Sequence, residues 1–407
     1  MRDVLVVGGG PAGSTVAREL ASEGHDVVQV EEHDEIGHPV QCGGLLTPHL
    51  MDKLPFDVEP IVHTELRKAR IYAPDGTLLH LEADELKSVA SDRAAVDRKL
   101  ATLAREAGAE QRLGTKVTGA RYTAEGVEAS YRTPEDEGTI EARAIVGADG
   151  AQSRVGKWFD LFEPRQYISL HGAEMTGLEG LDPEGVEMWL GEERAPGFFT
   201  YIVPTGEDRG KVEAGVWNAP QPAKHYYERM FDDPLSAPHL DGAEEQFTIS
   251  ATIPFGPAEE TVRDRVALVG DAAGQAKPTT GGGIYTGICC AEMLADELGE
   301  ALAEDDLSEE RLEAYHQAWS SSIGRELRIM MTLRHAFLQL DDEDLDDIWD
   351  RLTQPEVTRI LNEHGDIDYV SKLAFRLIKA EPGLIRYAPA VLKGFASNLT
   401  LDHVPTE

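Results

Sequence analysis

Three glycines spaced Gly8-x-Gly10-x-x-Gly13, an acid at Glu31 and a cysteine between bending residues at Cys42 could do chemistry near the amino terminus. In such a turn the first glycine allows a tight bend and the second lets a pyrophosphate reach the backbone. The third lets helix and strand pack closely. Pro11 and Ala12 stand where a helix opens, and a helix N-terminus turns unpaired N–H groups and positive partial charge toward phosphate. Glu31 follows at about the 20-residue distance of a dinucleotide fingerprint, where a carboxylate accepts both hydrogens of a ribose diol. A second set lies far along the chain in RVALVGDAAGQAKPTTGGGIYTG. There Asp271 heads a turn, placed to accept hydrogen bonds from a sugar-like chain. Gly281, Gly282 and Gly283 precede Ile284 and a helix, so their bare N–H groups can approach a flat ring. A helix N-terminus there favours negative charge on such a ring.

These residues need a strand before each turn and a helix after it. Residues 4–7 form a short apolar run suited to a parallel strand buried on both faces. Ala12, Val16 and Leu20 recur at helical spacing, Gly24 suits a helix end, and residues 27–30 resume the sheet. Residues 91–109 read as a second amphipathic helix, with Val96, Leu100 and Leu103 on one face and Ser91 as its cap. Segments 114–122, 126–132 and 139–148 read as strands. Pieces at 66–81, 165–174, 185–190, 198–203, 210–217 and 247–253 predict a mostly antiparallel sheet in a second domain. Residues 265–274 return to the buried-parallel pattern, 282–302 read as a helix, and helices continue from about Ser308. The expected fold class is therefore α/β with an α+β insert. A Rossmann-like domain takes residues 1–60, 86–160 and 256–302, a substrate sheet takes 61–85 and 161–255, and a helical region takes 303–407.

At 407 residues the chain exceeds one ordinary core. It carries 38 basic and 74 acidic residues, a formal charge of −36, with 12 lysines against 26 arginines. Such self-repulsion destabilises a compact state at low ionic strength. It predicts a protein that works in concentrated salt, where the Debye length falls to about 3 Å at 1 M. The same charge argues against nucleic acid as a partner, because phosphate binding needs a basic surface. Cys42 and the adjacent Cys289 and Cys290 cannot build a disulfide framework or a four-thiolate cluster, so a reducing compartment and no metal centre are expected. The chain opens Met-Arg-Asp into Val-Leu-Val-Val without signal-peptide architecture, and no stretch of 18 or more apolar residues occurs. The expected location is cytoplasmic, or peripheral on the inner membrane face.

With VGADGAQSR (146–154) added, the three motifs resemble, in order over residues 1–290, the FAD-binding scaffold of the aromatic hydroxylase superfamily. That resemblance implies FAD, with Glu31 on the adenosine ribose, Glu32 beside it, Asp271 on the ribityl chain and Arg93 at the outer cofactor region. It adds Cys42, Gly43, Val117 and Asp149 to the cofactor contacts of the two glycine turns. Within the superfamily the chain resembles the geranylgeranyl reductase family. That family's Pro-Val-x-Cys-x-Gly loop stands here as Pro39-Val40-Gln41-Cys42-Gly43-Gly44. Its Pro-x-x-Tyr-x-Trp-x-Phe-Pro strand stands as Pro196-Gly-Phe-Phe199-Thr-Tyr201-Ile-Val203-Pro204, with Phe199 for tyrosine, Tyr201 for tryptophan and Val203 for phenylalanine.

The resemblance implies a reductase that saturates isoprenoid double bonds of archaeal-type membrane lipids or of a prenylated quinone, by hydride from flavin N5 plus a proton. It places Phe199, Tyr201 and Pro204 against the substrate, with Cys42 beside the flavin as proton source or gate and Tyr201 as another source. An ordinary thiol is protonated at neutral pH and can donate; the plainer alternative for Cys42 is a small buried side chain. No second glycine-rich βαβ unit is present for a nicotinamide, so the electron donor is a ferredoxin or a transiently bound NAD(P)H. Flavin-dependent monooxygenases and halogenases are the rival chemistry. Halogenases share an aromatic strand but need a tunnel lysine, and no matching lysine is seen near the glycine loop. A non-catalytic flavin electron carrier is the other rival. Residues 370–395 place Lys372, Arg376, Lys379, Arg386 and Lys393 among leucines, a pattern suited to an anionic lipid surface or to a helix pair facing acidic neighbours. The acidic run 341–347 reads as a solvated face.

Overall fold

Val4–Val7 are buried on both faces because the strand Arg2–Val7 lies inside a parallel sheet, between Glu137–Gly147 and Val27–Val30. The structure is a computed structural model describing residues 1–387 except positions 41, 163 and 165, so Gln41 and Lys393 fall outside the described residues. Val266–Leu268 extends the parallel sheet beyond Glu137–Gly147, and Glu110–Arg112 extends it beyond Val27–Val30. Segments from three parts of the chain thus build one sheet, as expected for a Rossmann-like core. Lys116–Tyr122 and Val127–Arg132 form an antiparallel hairpin on the edge of Glu137–Gly147.

Helix Pro11–Ser22 buries Val16, Ala17 and Leu20. The same core holds Cys289, Cys290, Leu294 and Leu298 of helix Ile284–Glu304. The paired cysteines are therefore packing residues, and burial pushes the Cys290 thiol up. Helix Arg93–Glu106 differs from the expectation at its start. Its cap is Asp92, whose side chain accepts from Ala95 N at 2.9 Å, while Ser91 ends a strand and donates its hydroxyl to Gly44 O at 2.7 Å.

The second sheet runs Glu244–Pro254, Tyr167–Thr176, Arg209–Val216, Thr200–Pro204, Gly185–Trp189, Lys68–Tyr72, Leu78–Glu82. All its pairs are antiparallel except Gly185–Trp189 with Lys68–Tyr72. A small third sheet was not foreseen. Leu45–Leu46 and Val62–Leu66 flank Ser88–Ser91, which fixes the loop carrying Cys42, Gly43 and Gly44 over the first domain.

Five helices follow between Glu309 and Ala380. The acidic run is more than a solvated face. Asp341 caps its helix, Asp342 accepts from Glu192 N at 3.0 Å, and Asp346 accepts from Asp75 N at 3.0 Å. Trp349 Nε1 donates to Ile71 O at 3.0 Å, so this helix is docked on the second sheet. Among the described residues no helix is long and apolar enough to cross a membrane.

Most ion pairs are surface pairs, such as Arg311 with Glu297, Glu300 and Glu304. Such pairs contribute about 0–1 kcal/mol each and cannot offset the repulsion of 36 uncompensated negative charges. The melting temperature is expected to be lower in dilute buffer than in molar salt. Equal melting temperatures in thermal scans at the two ionic strengths would contradict this.

Candidate functional site

Gly8 has φ +115°, and a Cβ there would lie 2.1 Å from Ala148 O. A Cβ on Gly13 would lie 2.2 Å from Gly8 O, so neither position can carry a side chain without moving backbone. Gly10 is the contrast: nothing lies within 4 Å of its Cβ position, which leaves the cradle before Pro11 open. Glu31 stands at the rim of this cradle. Its Oε2 accepts from Gly9 N at 2.8 Å and its Oε1 from His33 N at 3.0 Å, with His33 Nδ1 at 2.6 Å. Glu32 pairs instead with Lys116 at 2.6 Å and Arg154 at 3.6 Å, and the lysine ammonium holds its carboxyl below the usual range.

The cradle opens into a cavity of about 1430 Å³. Single ligand pockets are about 300–1,000 Å³, so this one has room for a dinucleotide and a second molecule. Gly8, Gly10, Pro11, Ala12, Glu31 and Glu32 line one end. Asp149 lies beside Gly8 at this same end, and Val117 follows the Lys116 that pairs with Glu32. Arg93, Asp271, Gly281, Gly282, Gly283 and Ile284 continue the lining, which reaches Cys42, Gly43, Phe199 and Tyr201. Gly13 lies behind the cradle as a packing position, outside the lining. Burial pushes the Asp271 carboxyl up to about 6, against the pull of the Arg93 guanidinium. Asp149 Oδ2 accepts from Val155 N at 3.0 Å, while its Oδ1 is buried without a partner. A Cβ on Gly283 would come within 2.8 Å of Asp271 Oδ1, so that glycine keeps the carboxylate clear. An open backbone cradle, a ribose-ready acid and two underused carboxyls facing one cavity fit the two phosphates and polyol chain of FAD.

At the other end Cys42 is half-buried, and its Sγ accepts from Gly44 N at 3.4 Å. The Arg93 side chain is only 11% exposed, ion-paired with buried Asp97 and interacting with the Cys42 sulfur. It is therefore not the solvated first-turn residue its position in the helix would allow. Phe199 lies edge-on to Tyr201 at 5.6 Å between centroids and stacks on Phe198 at 3.9 Å. Val186 and Met188 add apolar lining. Pro204 is not brought to the cavity; it is buried in its strand, where its carbonyl accepts from Thr64 Oγ1 at 2.7 Å.

Three charged groups escaped the sequence reading. Lys277 does lie against the glycine loop, with a Gly282 Cβ position 3.2 Å from its Nζ, which corrects the expectation of no lysine there. Its ammonium is committed to buried Asp368 at 2.6 Å. Lys211 and Glu213 are buried behind Tyr201. Their signal was available: two opposite charges one strand period apart inside an apolar strand, since full burial of charge requires a partner.

Comparison with known proteins agrees with this geometry. The model of the FAD binding domain family matches residues 1–325. The digeranylgeranylglycerophospholipid reductase of Methanosarcina acetivorans is 32% identical over 371 residues, covering 86% of this chain and 88% of its own. Digeranylgeranylglycerophospholipid reductase 2 of Methanopyrus kandleri is 30% identical over 404 residues, covering 96% and 99%. A geranylgeranyl bacteriochlorophyll reductase-like protein of Thermoplasma acidophilum superimposes with a TM-score of 0.85 at 25% identity, covering 96% and 99%. A flavin-dependent brominase superimposes with a TM-score of 0.70 at 17% identity, covering 89% and 92%, a likeness of fold.

Proposed function

The chain belongs to the FAD binding domain family and, within it, to the digeranylgeranylglycerophospholipid reductases; on that premise we propose that it saturates the isoprenoid double bonds of archaeal-type membrane lipids. The observation that carries the reading is one cavity running from a phosphate cradle to an apolar aromatic wall. A lipid diether is the preferred substrate over a prenylated quinone because the relatives are named for the phospholipid. Incubating the reduced protein with each and weighing the products tests the choice.

FAD supplies the hydride equivalent when bound. The chain's own residues do the rest. Glu31 holds the ribose, the Gly8–Gly13 turn takes the pyrophosphate, and Asp271 accepts from the ribityl hydroxyls. Glu32, Val117, Asp149 and Arg93 shape the path between them, and Gly281–Ile284 leave room for the ring. The division of labour follows residues 1–60, 86–160 and 256–302 for FAD and 61–85 with 161–255 for substrate, and of the helical region 303–407 the described residues, up to 387, brace both. Phe199 and Tyr201 exclude water and tolerate transient positive charge at an alkene carbon. Electrons come from a ferredoxin or from NAD(P)H docking transiently. The halogenase alternative is disfavoured because Lys277 is spent on Asp368.

Cys42 faces the substrate end beside Arg93 and acts there as a gate on the alkene. Cys42→Ser and Cys42→Ala are expected to keep FAD and to be reduced normally, yet to saturate prenyl chains about tenfold more slowly. A wild-type turnover rate for Cys42→Ala would reduce the cysteine to packing.

Peripheral membrane contact through Lys372, Arg376, Lys379, Arg386 and Lys393 fits a protein with a lipid substrate. Several of these cations have local partners, Arg386 with Asp347 at 3.2 Å and Lys372 with Asp366 at 3.5 Å, which weakens their pull on lipid. Changing all five to glutamine should reduce sedimentation with anionic liposomes at unchanged FAD content. Unaltered sedimentation would leave these cations to the fold.

A further inference from the structure

Glu213 lies on strand Arg209–Val216 directly opposite Tyr201 on strand Thr200–Pro204. It is 0% exposed, and neither carboxyl oxygen has a hydrogen-bond partner of good geometry. A methyl placed on Gly43 would lie 3.3 Å from Tyr201 Oη and 3.5 Å from Glu213 Oε1, so both groups converge under the loop that carries Cys42. Tyr201 lines the cavity and Glu213 stands behind it. On the far side Glu213 packs against Gly172 of strand Tyr167–Thr176, where a Cβ would lie 2.7 Å from Glu213 Cγ. Lys211, 3% exposed and on the same strand face, gives its ammonium to Gly43 O at 3.1 Å. Cys42 and Arg93 complete the polar surroundings on the loop and helix side of Tyr201.

An ionised carboxylate without hydrogen bonds is very costly to bury, whereas a neutral acid is tolerable. Burial pushes the Glu213 carboxyl up, with Tyr201 and Lys211 pulling less strongly the other way. Burial and the neighbouring carboxyl likewise push the Tyr201 phenol well up, so it keeps its hydrogen at neutral pH. Tyr201 therefore carries a transferable hydrogen, and the buried Glu213 carboxyl, with neither oxygen hydrogen-bonded, stands where the neutral acid is the favoured form.

Resting on the prenyl reductase reading, we propose that Tyr201 donates the proton of alkene saturation and that Glu213 is the positioning acid that refills it. As the hydride equivalent from reduced flavin forms a C–H bond at one alkene carbon, the Tyr201 O–H bond breaks and its proton forms the C–H bond at the other. Glu213 then passes its proton to Tyr201 Oη and is left as a carboxylate facing the Lys211 ammonium. Solvent restores the proton once product leaves.

The test uses the full chain loaded with FAD. Infrared spectra at neutral pH should contain a protonated-carboxyl C=O band that disappears in Glu213→Gln and shifts in Tyr201→Phe. Glu213→Gln keeps the shape and should keep FAD, but its prenyl turnover should fall about a hundredfold, within the range for general acids. Wild-type kcat should decline as pH rises through the elevated Glu213 pKa, and that limb should vanish in Glu213→Gln. Wild-type turnover with an unchanged pH profile in Glu213→Gln would overturn the proposal, as would spectra in which no such band is lost. Should Glu213→Gln fail to fold, the shift in Tyr201→Phe decides, and an unmoved band overturns the pairing. If the bands behave as stated but no form saturates prenyl chains, the reductase reading fails and Tyr201 falls as donor with it.

Discussion

Gly13→Val is expected to give a colourless protein that retains its secondary structure. The Cβ at this position would sit 2.2 Å from Gly8 O, and Gly8 is itself held at φ +115° with Ala148 O 2.1 Å from its own Cβ position. Nothing there can yield except backbone, so the valine pushes the helix start off the strand and opens the cradle. FAD affinity should drop by more than about a hundredfold, because hydrogen bonds to charged groups contribute about 1.5–3 kcal/mol each and several go together. Gly10→Ala separates local shape from folding. Its methyl meets no protein atom within 4 Å, so the fold is untouched, yet it enters the space reserved for pyrophosphate. Flavin absorbance per mole of protein, read alongside circular dichroism, checks both. Full flavin content in a folded Gly13→Val variant would contradict the placement of the cofactor.

Tyr201→Phe is the second large effect. The ring stays against Phe199, so the wall keeps its shape and the cavity its volume; only the hydroxyl goes. Single-turnover saturation by the prereduced protein should slow by about 10²-fold or more, the contribution of a positioned general acid. FAD content and the rate of flavin reduction should be unchanged, because Tyr201 lies at the substrate end. An unchanged saturation rate would assign the proton to Cys42 or to water.

What the sequence made legible was whatever local backbone geometry dictates. The Gly8–Gly13 turn, Glu31 at the end of the second strand, and Asp271 before the Gly281–Gly283 loop are read from spacing alone, and each faces the same cavity. What depends on which strand lies beside which was harder. Glu213 meets Tyr201 only through the register of Arg209–Val216 on Thr200–Pro204, and no spacing along the chain announces that pairing. The Leu45–Leu46, Val62–Leu66 and Ser88–Ser91 sheet was missed because Leu45–Leu46 has only two residues and the central Ser88–Ser91 is buried throughout, so neither shows alternation. Ser91 looked like a cap because Ser and Asp are adjacent and both suit the role; the strand claimed the serine and left the cap to Asp92. Pro204 belonged to a matching motif, yet its burial inside the strand removes it from the cavity.

The central claim is that this chain adds hydrogen across prenyl double bonds. Reduced protein incubated without oxygen with a digeranylgeranyl glycerophospholipid, followed by mass spectrometry of the lipid, tests it most directly. The predicted result is a ladder of products, each heavier than the last by one pair of hydrogens, formed only while the flavin is kept reduced. Chains of unchanged mass, or products carrying oxygen or halogen and formed only when oxygen is admitted, would contradict it.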